Sequence, residues 1–252
     1  MRQEEFLNSL SAYFQTEEGL EQLRKGTPLG TDLVDKPVFS QLREEPFTFR
    51  HTCVTGARRT AFIKRLLMTL SCLYNKDEAC FLVLSPRQDY GELLRLSNID
   101  LTVPFLRDKS DLDDALACVK ELASMRATGV GYPKLFLVLD GLEELPDCNK
   151  TGDLEEYRLF FDTLPRRKNI EVISGVELMR SIFSGYPGAF VGVGNCLVTT
   201  QDDGAADVTY VGEDSQLSLP TVLHFPCAPS ITETIIYLNS ITSALKAETD
   251  GE

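Results

Sequence analysis

The segment "RHTCVTGARRTAFIKRLL", Arg50 to Leu67, joins two kinds of sequence pattern. Residues 51–56 form a short strand-like run that ends at Gly56. Beyond this glycine, apolar residues recur with the spacing of a helix, and we predict a helix over residues 60–74. Glycine tolerates the tight backbone turn that such a junction needs. The segment therefore predicts one strand–turn–helix unit of an α/β domain.

Further strand-like and helical patterns alternate along the rest of the chain. Most of the strand-like runs are continuously apolar, which is typical of parallel strands that are buried on both faces. Their alternation with helices predicts an α/β fold with right-handed crossovers. The predicted strands are residues 51–56, 80–85, 135–140, 170–174 and 196–200, and the predicted helices are residues 2–25, 60–74, 110–127, 154–164 and 231–246.

Composition disfavours several classes of function. The chain of 252 residues has a formal net charge of −13, whereas proteins bind DNA mainly by neutralising phosphates with Lys and Arg. The N-terminus has no secretory signal and no segment approaches the ~20 apolar residues of a membrane span. We therefore expect a cytoplasmic protein with no direct membrane insertion. The seven cysteines include no CxxC pair, and the chain has only two histidines. We therefore expect neither disulfides nor a metal centre.

The junction at Gly56 has the place of a phosphate-binding P-loop, but not its residues. In the pattern GxxxxGK[ST], glycines let backbone N–H groups surround phosphates, the lysine reaches the β- and γ-phosphates, and the hydroxyl holds Mg²⁺. Counted from Gly56, the second glycine is Ala61, the lysine is Phe62 and the hydroxyl is Ile63. Lys64 is no substitute, because two positions along a helix turn it by about 200°. By itself, this segment favours an ordinary strand–glycine–helix junction over a lapsed P-loop.

A second segment favours the lapsed P-loop. The stretch "KLFLVLDGLEEL" (134–145) is an apolar strand that ends at Asp140. A Walker B strand also ends at an aspartate, which holds magnesium and precedes a glutamate that orients the attacking water. Here Gly141 stands at the place of that glutamate, and the acidic residues that follow, Glu143 and Glu144, are expected to point elsewhere.

Together these motifs resemble the FtsK/SpoIIIE-type module of the P-loop ATPases. The family's lead-in is similar to "PLGTDLVDKPVFSQLREEPFTFRHTCVTG" (28–56), and its "DPK" after the second strand corresponds to Ser85, Pro86 and Arg87. The family's "DELADL" corresponds to "DGLEEL", and the order and spacing agree from residue 28 to about 175. The resemblance implies a P-loop NTPase-like fold of the RecA/FtsK type, with a parallel-rich sheet and helices on both faces.

The departures from the family pattern imply a module without catalytic residues. The P-loop lysine and hydroxyl and the Walker B glutamate are missing, and "VISGVELM" (172–179) lacks the family's polar sensor. ATP hydrolysis needs charge-neutralising groups around the γ-phosphate and a positioned water. We therefore expect no bound cofactor, neither ATP nor magnesium, and weak nucleotide binding at most. The lapsed nucleotide site is assigned to Gly56, Arg58, Arg59, Thr60, Phe62 and Asp140.

Several basic and apolar side chains near this site have two interpretations. Arg58 and Arg59 either grip an anion or a partner's carboxylate, or form a solvated charge pair, and the second interpretation is favoured. Arg87 is expected to be solvated. Phe62 either packs inside the domain or anchors a partner, and packing inside is favoured, with Phe62 and Arg58 partly filling the pocket.

The resemblance also implies a domain organisation and three competing functions. We divide the chain into an N-terminal helical segment (1–27), a degenerate FtsK-like domain (28–229), and a C-terminal helix and tail (230–252). The first function is a pseudo-ATPase that recognises a protein, either a homologous ATPase module or an exported substrate, as terminal modules of type VII secretion ATPases do. The others are an active motor, perhaps on DNA, and a nucleotide sensor without turnover. The acidity makes DNA the less favoured partner.

Overall fold

The fold is described here from a computed structural model of the chain, which covers residues 16–19, 21, 27–32, 37–39, 51–96, 99–128, 131–146, 169–175, 196–202, 205–210 and 221–223. The predicted helices 154–164 and 231–246 and most of the helix 2–25 lie outside these residues. Residues 17–19 and 21 of the N-terminal segment are helical. The domain boundaries after residues 27 and 229 therefore remain predictions.

The described residues form ten strands and two long helices. Helix α1 is Arg59–Leu73 and helix α2 is Lys109–Thr128. Short 3-10 helices occupy Gln88–Arg95 and Leu142–Glu144. The strands are β1 (Pro28–Thr31), β2 (Pro37–Phe39), β3 (His51–Gly56), β4 (Ala79–Leu84), β5 (Asp100–Thr102), β6 (Lys134–Leu139), β7 (Ile170–Gly175), β8 (Cys196–Thr200), β9 (Ala206–Tyr210) and β10 (Thr221–Leu223).

Eight of these strands make one sheet, in the order β10-β9-β8-β3-β7-β6-β4-β5. The six strands from β8 to β5 in this order run parallel, and β9 and β10 are antiparallel to their neighbours. Strands β1 and β2 form a separate antiparallel pair. Because parallel strands all point the same way, the residues that end β3, β4, β6 and β7 meet at one edge of the sheet, where ligands bind in open α/β folds.

Both faces of the sheet are covered by apolar side chains, because alternate residues of a strand point to opposite faces. Phe136 and Val138 of β6 pack in one hydrophobic cluster with α1, whereas Leu135 and Leu137 of the same strand pack in another with α2. The stacked rings of Phe81 and Phe136, 5.0 Å apart, lie in the first cluster. The prediction of a parallel-rich sheet with helices on both faces is confirmed.

The boundaries predicted for the central elements agree with the structure to within one residue at most ends. Strands β5, β9 and β10 were not predicted, because β5 and β10 are only three residues long and because Asp207 and Thr209 interrupt the apolar residues of β9. Asp100–Thr102, for example, alternates exposed and half-buried residues at an end of the sheet. Among the helices described here, none is long and apolar enough to cross a membrane.

Candidate functional site

The turn after β3 is fixed by close contact with the neighbouring strand β8. Gly56 has a φ of +98°, and a Cβ atom at this position would lie 2.2 Å from the carbonyl oxygen of Thr200. The Thr200 hydroxyl donates to the Thr55 carbonyl at 2.8 Å and accepts from the Arg58 amide at 3.3 Å. Only glycine fits both this backbone conformation and this contact. The loop is therefore held flat against β8.

The loop is also shorter than the P-loop pattern. The pattern places five residues between its first glycine and its lysine, whereas two, Ala57 and Arg58, separate Gly56 from Arg59, where α1 begins. The helix thus starts three residues before Phe62, which counting along the pattern places at the lysine. Arg59 and Thr60, which begin the helix, follow the order of the basic residue and the hydroxyl residue of a P-loop.

This register corrects the role that the sequence assigned to Phe62. Phe62 and Ile63 are 4% and 0% exposed and belong to the hydrophobic cluster beneath the sheet. Phe62 therefore does not stand in for the P-loop lysine, and the prediction that it packs inside is confirmed. Lys64 pairs with Glu92 and takes no part in the site, as its angular position on the helix predicts.

Asp140 is the centre of the site, and its carboxylate accepts three hydrogen bonds from side chains. It directly follows β6 and is 1% exposed. Arg59 Nε donates to Asp140 Oδ1 at 2.9 Å. The hydroxyls of Thr60 and Tyr90 donate to Asp140 Oδ2 at 2.6 and 2.9 Å. The expectation that Arg59 is solvated is wrong, because its side chain turns inward to neutralise this buried carboxylate.

Arg87 closes the outer side of the site. Its Nη1 donates to the Thr60 hydroxyl at 2.7 Å, and its Nε donates to Glu144 Oε1 at 2.9 Å. Nη1 also lies 4.0 Å from Asp140 Oδ2. The expectation that Arg87 is merely solvated is therefore wrong, and Glu144 does not point away from the site but holds Arg87 over it.

Two glycines leave room for these arginines. Gly141, at the place of the Walker B glutamate, has a φ of +72°, and a Cβ there would lie 3.1 Å from Arg87 Nε. Gly175 ends β7, and a Cβ there would lie 2.8 Å from Asp140 Oδ1 and 3.2 Å from Arg59 Nε. A side chain at either position would displace the ion pairs. The lack of a side chain at Gly141 and Gly175 thus makes room for Arg87 and Arg59, respectively.

The burial of this network changes the acidity of its members. Burial, and then the negative charge of Asp140, raises the pKa of Tyr90 well above its ordinary value. Tyr90 therefore stays a neutral hydrogen-bond donor. The hydrogen bond from Arg87 lowers the pKa of the Glu144 carboxyl. The outer side of the site is thus the ion pair of Arg87 and Glu144. Its buried side is the neutral phenol of Tyr90, which donates to the Asp140 carboxylate.

The structure brings together some of the predicted site residues and separates others. Arg59, Thr60 and Asp140 form one hydrogen-bonded group. The side chain of Arg58 is exposed; the prediction that it helps to fill the pocket is wrong, because Arg59 does so. Sequence analysis missed Tyr90 and Gly175. The signal for Tyr90 was its place just after the "SPRQ" segment. The signal for Gly175 was its place in "VISGVELM", where the family's polar sensor is missing.

A nucleotide with its magnesium does not fit the residues that are present. A P-loop holds Mg²⁺ by a hydroxyl and the nucleotide phosphates, but the Thr60 hydroxyl here is bonded directly to the Asp140 carboxylate. Arg59 occupies the other carboxylate oxygen, and the short loop offers fewer backbone amides. In the part of the chain that the structure describes, no group of three His, Cys, Asp or Glu residues is placed to hold a metal ion.

Known structures share this fold. The chain superposes on the cytoplasmic domain of the type VII secretion ATPase EccC from Thermomonospora curvata with a TM-score of 0.54 and 13% identity, covering 81% of this chain and 29% of EccC. ATPases 2 and 3 of EssC from Geobacillus thermodenitrificans give 0.53 and 13%, covering 89% of this chain and 49% of that one. ATPases 2 and 3 of EccC in complex with a signal sequence peptide give 0.53 and 13%, covering 81% and 41%.

These likenesses establish the class of fold. The chain has the fold of an FtsK-like P-loop ATPase module, as found in the ATPases of type VII secretion. It spans less than half the length of these three structures. No protein-family model and no curated protein sequence matches it.

Proposed function

We propose that this chain is a catalytically degenerate FtsK/SpoIIIE-like ATPase module that acts by binding a protein in a type VII-like secretion system. The observation that carries the proposal is the state of Asp140, whose carboxylate accepts hydrogen bonds from Arg59, Thr60 and Tyr90. Three of its about four lone-pair sites thus face donors of the protein itself instead of a metal ion. The module accordingly keeps the fold of a motor and lacks its chemistry.

The absence of turnover follows from what hydrolysis requires. Phosphoryl transfer depends on cations that neutralise the developing charge and on a residue that orients the attacking water. Gly141 replaces the water-orienting glutamate and lies beneath Arg87. Arg59, the basic residue of the first helical turn, donates to Asp140 and neutralises that carboxylate. We therefore expect neither of these two requirements to be met.

The protein partner that we propose is a homologous ATPase module or an exported substrate. Two neighbours by fold contain two ATPase modules each, and one of them holds a signal sequence peptide. The net charge of −13 disfavours DNA as the partner.

The surface beside the closed site offers an apolar contact. Phe105 is 65% exposed and forms a parallel bridge with Ser85, two residues before Arg87. It lies next to strand β5, at one end of the sheet. An exposed aromatic ring of this kind is a common anchor in protein interfaces. We propose that this end of the carboxyl edge contributes to docking.

Two assays test the proposal. In the first, phosphate release with ATP and Mg²⁺ is compared between the chain, its Asp140→Ala variant and a buffer blank, and we expect all three to agree. Release that follows the amount of protein and disappears in Asp140→Ala would overturn the claim of degeneracy. In the second, pull-downs from extract with the wild type and Phe105→Ser are analysed by mass spectrometry, and duplex DNA is tested by gel shift over a range of salt.

The expected result of the second assay is a protein enriched with the wild type and depleted with Phe105→Ser. Leu94→Ser is the matched control, because Leu94 is also exposed, at 54%, but lies in the 3-10 helix. A submicromolar and steeply salt-dependent DNA shift without an enriched protein would instead favour DNA handling, since phosphate contacts produce such a slope.

A second candidate function is a nucleotide sensor that binds without hydrolysis. The observation that favours it is the order of Arg59 and Thr60 at the start of α1, which matches the basic and hydroxyl residues of a P-loop. A fluorescent ATP analogue titrated with Mg²⁺ tests this candidate. A micromolar dissociation constant would support the sensor, and no saturation up to millimolar analogue would exclude it.

A further inference from the structure

Strand β7 contains a buried carboxylate that lies outside the site at the carboxyl edge. All residues of Ile170–Gly175 are buried, and Glu171 among them is 0% exposed. In the register of β6 and β7, Glu171 stands opposite Phe136, which points to the face of the sheet that α1 covers. A carboxylate removed from water is stable only where charges and donors compensate it. The partners of Glu171 therefore indicate what this residue holds in place.

Two side chains from distant parts of the chain compensate Glu171. Lys134 Nζ, at the start of β6, lies 2.7 Å from Glu171 Oε2, and the Lys134 side chain is 12% exposed. Lys134 Nζ also lies 4.6 Å from the centre of the Phe136 ring, which fixes it from a second side. The hydroxyl of Thr27, itself buried, donates to Glu171 Oε1. Glu171 thus joins the residue before β1 to the amino end of the central sheet.

The strands that follow Thr27 form a strap, which is the antiparallel pair β1–β2. Leu29 of β1 is 3% exposed and belongs to the hydrophobic cluster of α1, and Val38 of β2 packs against that cluster. Among the strands described here, neither β1 nor β2 pairs with the eight-stranded sheet. Apolar packing and the Thr27–Glu171 hydrogen bond, instead of a ladder of backbone bonds, therefore tie the strap to the rest of the module.

We propose that Glu171 is a clasp that holds the strap on α1, and that the strap opens as a unit of its own when the Thr27–Glu171 bond is broken. A two-stranded pair is marginally stable by itself, and segments with few ties to the core open locally. Opening uncovers the part of the α1 cluster that Leu29 and Val38 cover, while the central sheet stays folded. The clasp lies at the amino end of the sheet, so it goes beyond the proposed function.

Hydrogen exchange of the intact chain, followed by mass spectrometry, tests the clasp. Thr27→Val removes the hydroxyl and keeps the shape of the side chain. We expect fragments that span residues 27–39 to exchange at least about tenfold faster in this variant than in the wild type, because a hydrogen bond to a charged group is lost. Fragments of β4 and β6 should exchange as in the wild type, since the Lys134–Glu171 ion pair remains.

Three further variants separate the clasp from general effects of substitution. Thr27→Ser keeps the hydroxyl and should exchange like the wild type. Thr31→Val makes the same substitution at another buried threonine of the strap, one that takes no part in the clasp, and it should also exchange like the wild type. Glu171→Ala should open the strap at least as far as Thr27→Val. Thr27→Val should then add little to Glu171→Ala, because both remove the same bond.

Three outcomes would overturn the proposal. They are strap exchange that Thr27→Val leaves unchanged, an equal rise in the strap and in the fragments of β4 and β6, and an effect of Thr31→Val equal to that of Thr27→Val. If Glu171→Ala does not fold, Thr27→Val decides alone, because it leaves the ion pair intact. The experiment contains no nucleotide, DNA or partner protein, so its result is independent of the assays that test the proposed function.

Discussion

Arg59 and Asp140 are 81 residues apart in the chain and form a buried ion pair, with Arg59 Nε 2.9 Å from Asp140 Oδ1. The pair joins the first turn of α1 to the end of β6, across the carboxyl edge of the sheet. In an active P-loop ATPase, the corresponding edge is held together by the nucleotide and its metal ion. Here two side chains of the protein do so.

The first prediction concerns the stability that this pair provides. In a chelating buffer, Arg59→Ala should lower the free energy of unfolding by about 3–5 kcal/mol, because it leaves Asp140 as a buried charge without its main partner. Arg58→Ala, on the exposed neighbour, should change it by no more than about 0.5 kcal/mol. Urea denaturation of the two variants measures both values. Equal effects would mean that the ion pair contributes nothing specific.

The second prediction distinguishes the two ways of aligning the loop with a P-loop. Counting residues places Phe62 at the lysine, so Phe62→Lys would restore nucleotide binding. The structure instead buries Phe62 in the core, with Arg65 5.3 Å from its ring. We expect Phe62→Lys to lose about 3–5 kcal/mol or more, from lost packing and a buried charge, and to bind no ATP.

Phe62→Leu serves as the apolar control for that variant. It removes the ring without adding charge, and we expect it to remain folded with a smaller loss of stability. Denaturant titration and the fluorescent ATP titration are measured on both. A folded Phe62→Lys that binds ATP would show that the alignment by counting is the correct one.

The third prediction concerns the turn at Gly56. Gly56→Ala should lower the free energy of unfolding by more than about 2 kcal/mol, because Ala resists a positive φ and its Cβ would meet the carbonyl of Thr200. Gly91→Ala provides the comparison, since no atom lies within 4 Å of a Cβ at that position. Its effect should stay within about 1 kcal/mol and be stabilising. Similar losses in the two variants would contradict the close approach to β8.

The fourth prediction concerns alkaline pH. The native protein keeps the Tyr90 proton above pH ~10, the ordinary pKa of tyrosine, whereas the unfolded chain loses it there. The native state then binds more protons, so its free energy of unfolding falls as pH rises, by up to ~1.4 kcal/mol per unit from this residue. Below pH ~10 the contribution of Tyr90 is fully present.

Tyr90→Phe isolates this contribution. At pH 8 the variant should be less stable than the wild type by about 1.5–3 kcal/mol, because it loses a hydrogen bond to a charged group. The difference should shrink as pH rises above ~10, since phenylalanine has no proton to lose. Urea denaturation at pH 8, 10 and 11 measures it. A difference that stays constant over this range would refute the prediction.

The sequence was sufficient to predict the central sheet. The apolar runs at β4, β6 and β7 are buried on both faces, so burial alone marks them, and the helical spacing after Gly56 marks α1. Strands β5 and β10 escaped prediction because they are only three residues long, and β9 did so because polar residues alternate with its buried ones. The strands can therefore be predicted where the hydrophobic pattern is strong, in the centre of the sheet. They cannot be predicted at its ends, where the pattern is weak.

The site was predicted in part and for a partly wrong reason. Asp140 at the end of an apolar strand was found from its position alone. Arg59 was taken for a solvated residue, since its partner lies 81 positions away and is brought near only by the fold. Tyr90 and Gly175 belong to the site because they contact the Arg59–Asp140 pair. These contacts join residues that are distant in the sequence, so no local pattern predicts them. Counting along the P-loop pattern placed Phe62 at the lysine, although the helix predicted from residue 60 starts within one residue of the observed start at Arg59.

The fit of Arg87 over Gly141 opposes any side chain at that position. A glutamate at position 141 would bring a Cβ to 3.1 Å from Arg87 Nε, in a backbone conformation with a φ of +72°. The glutamate alone would therefore strain the turn and disturb the Arg87–Glu144 pair before it had any water or nucleotide to act on. An evolutionary path that introduces this glutamate must therefore change position 87 as well, or pass through a less stable protein.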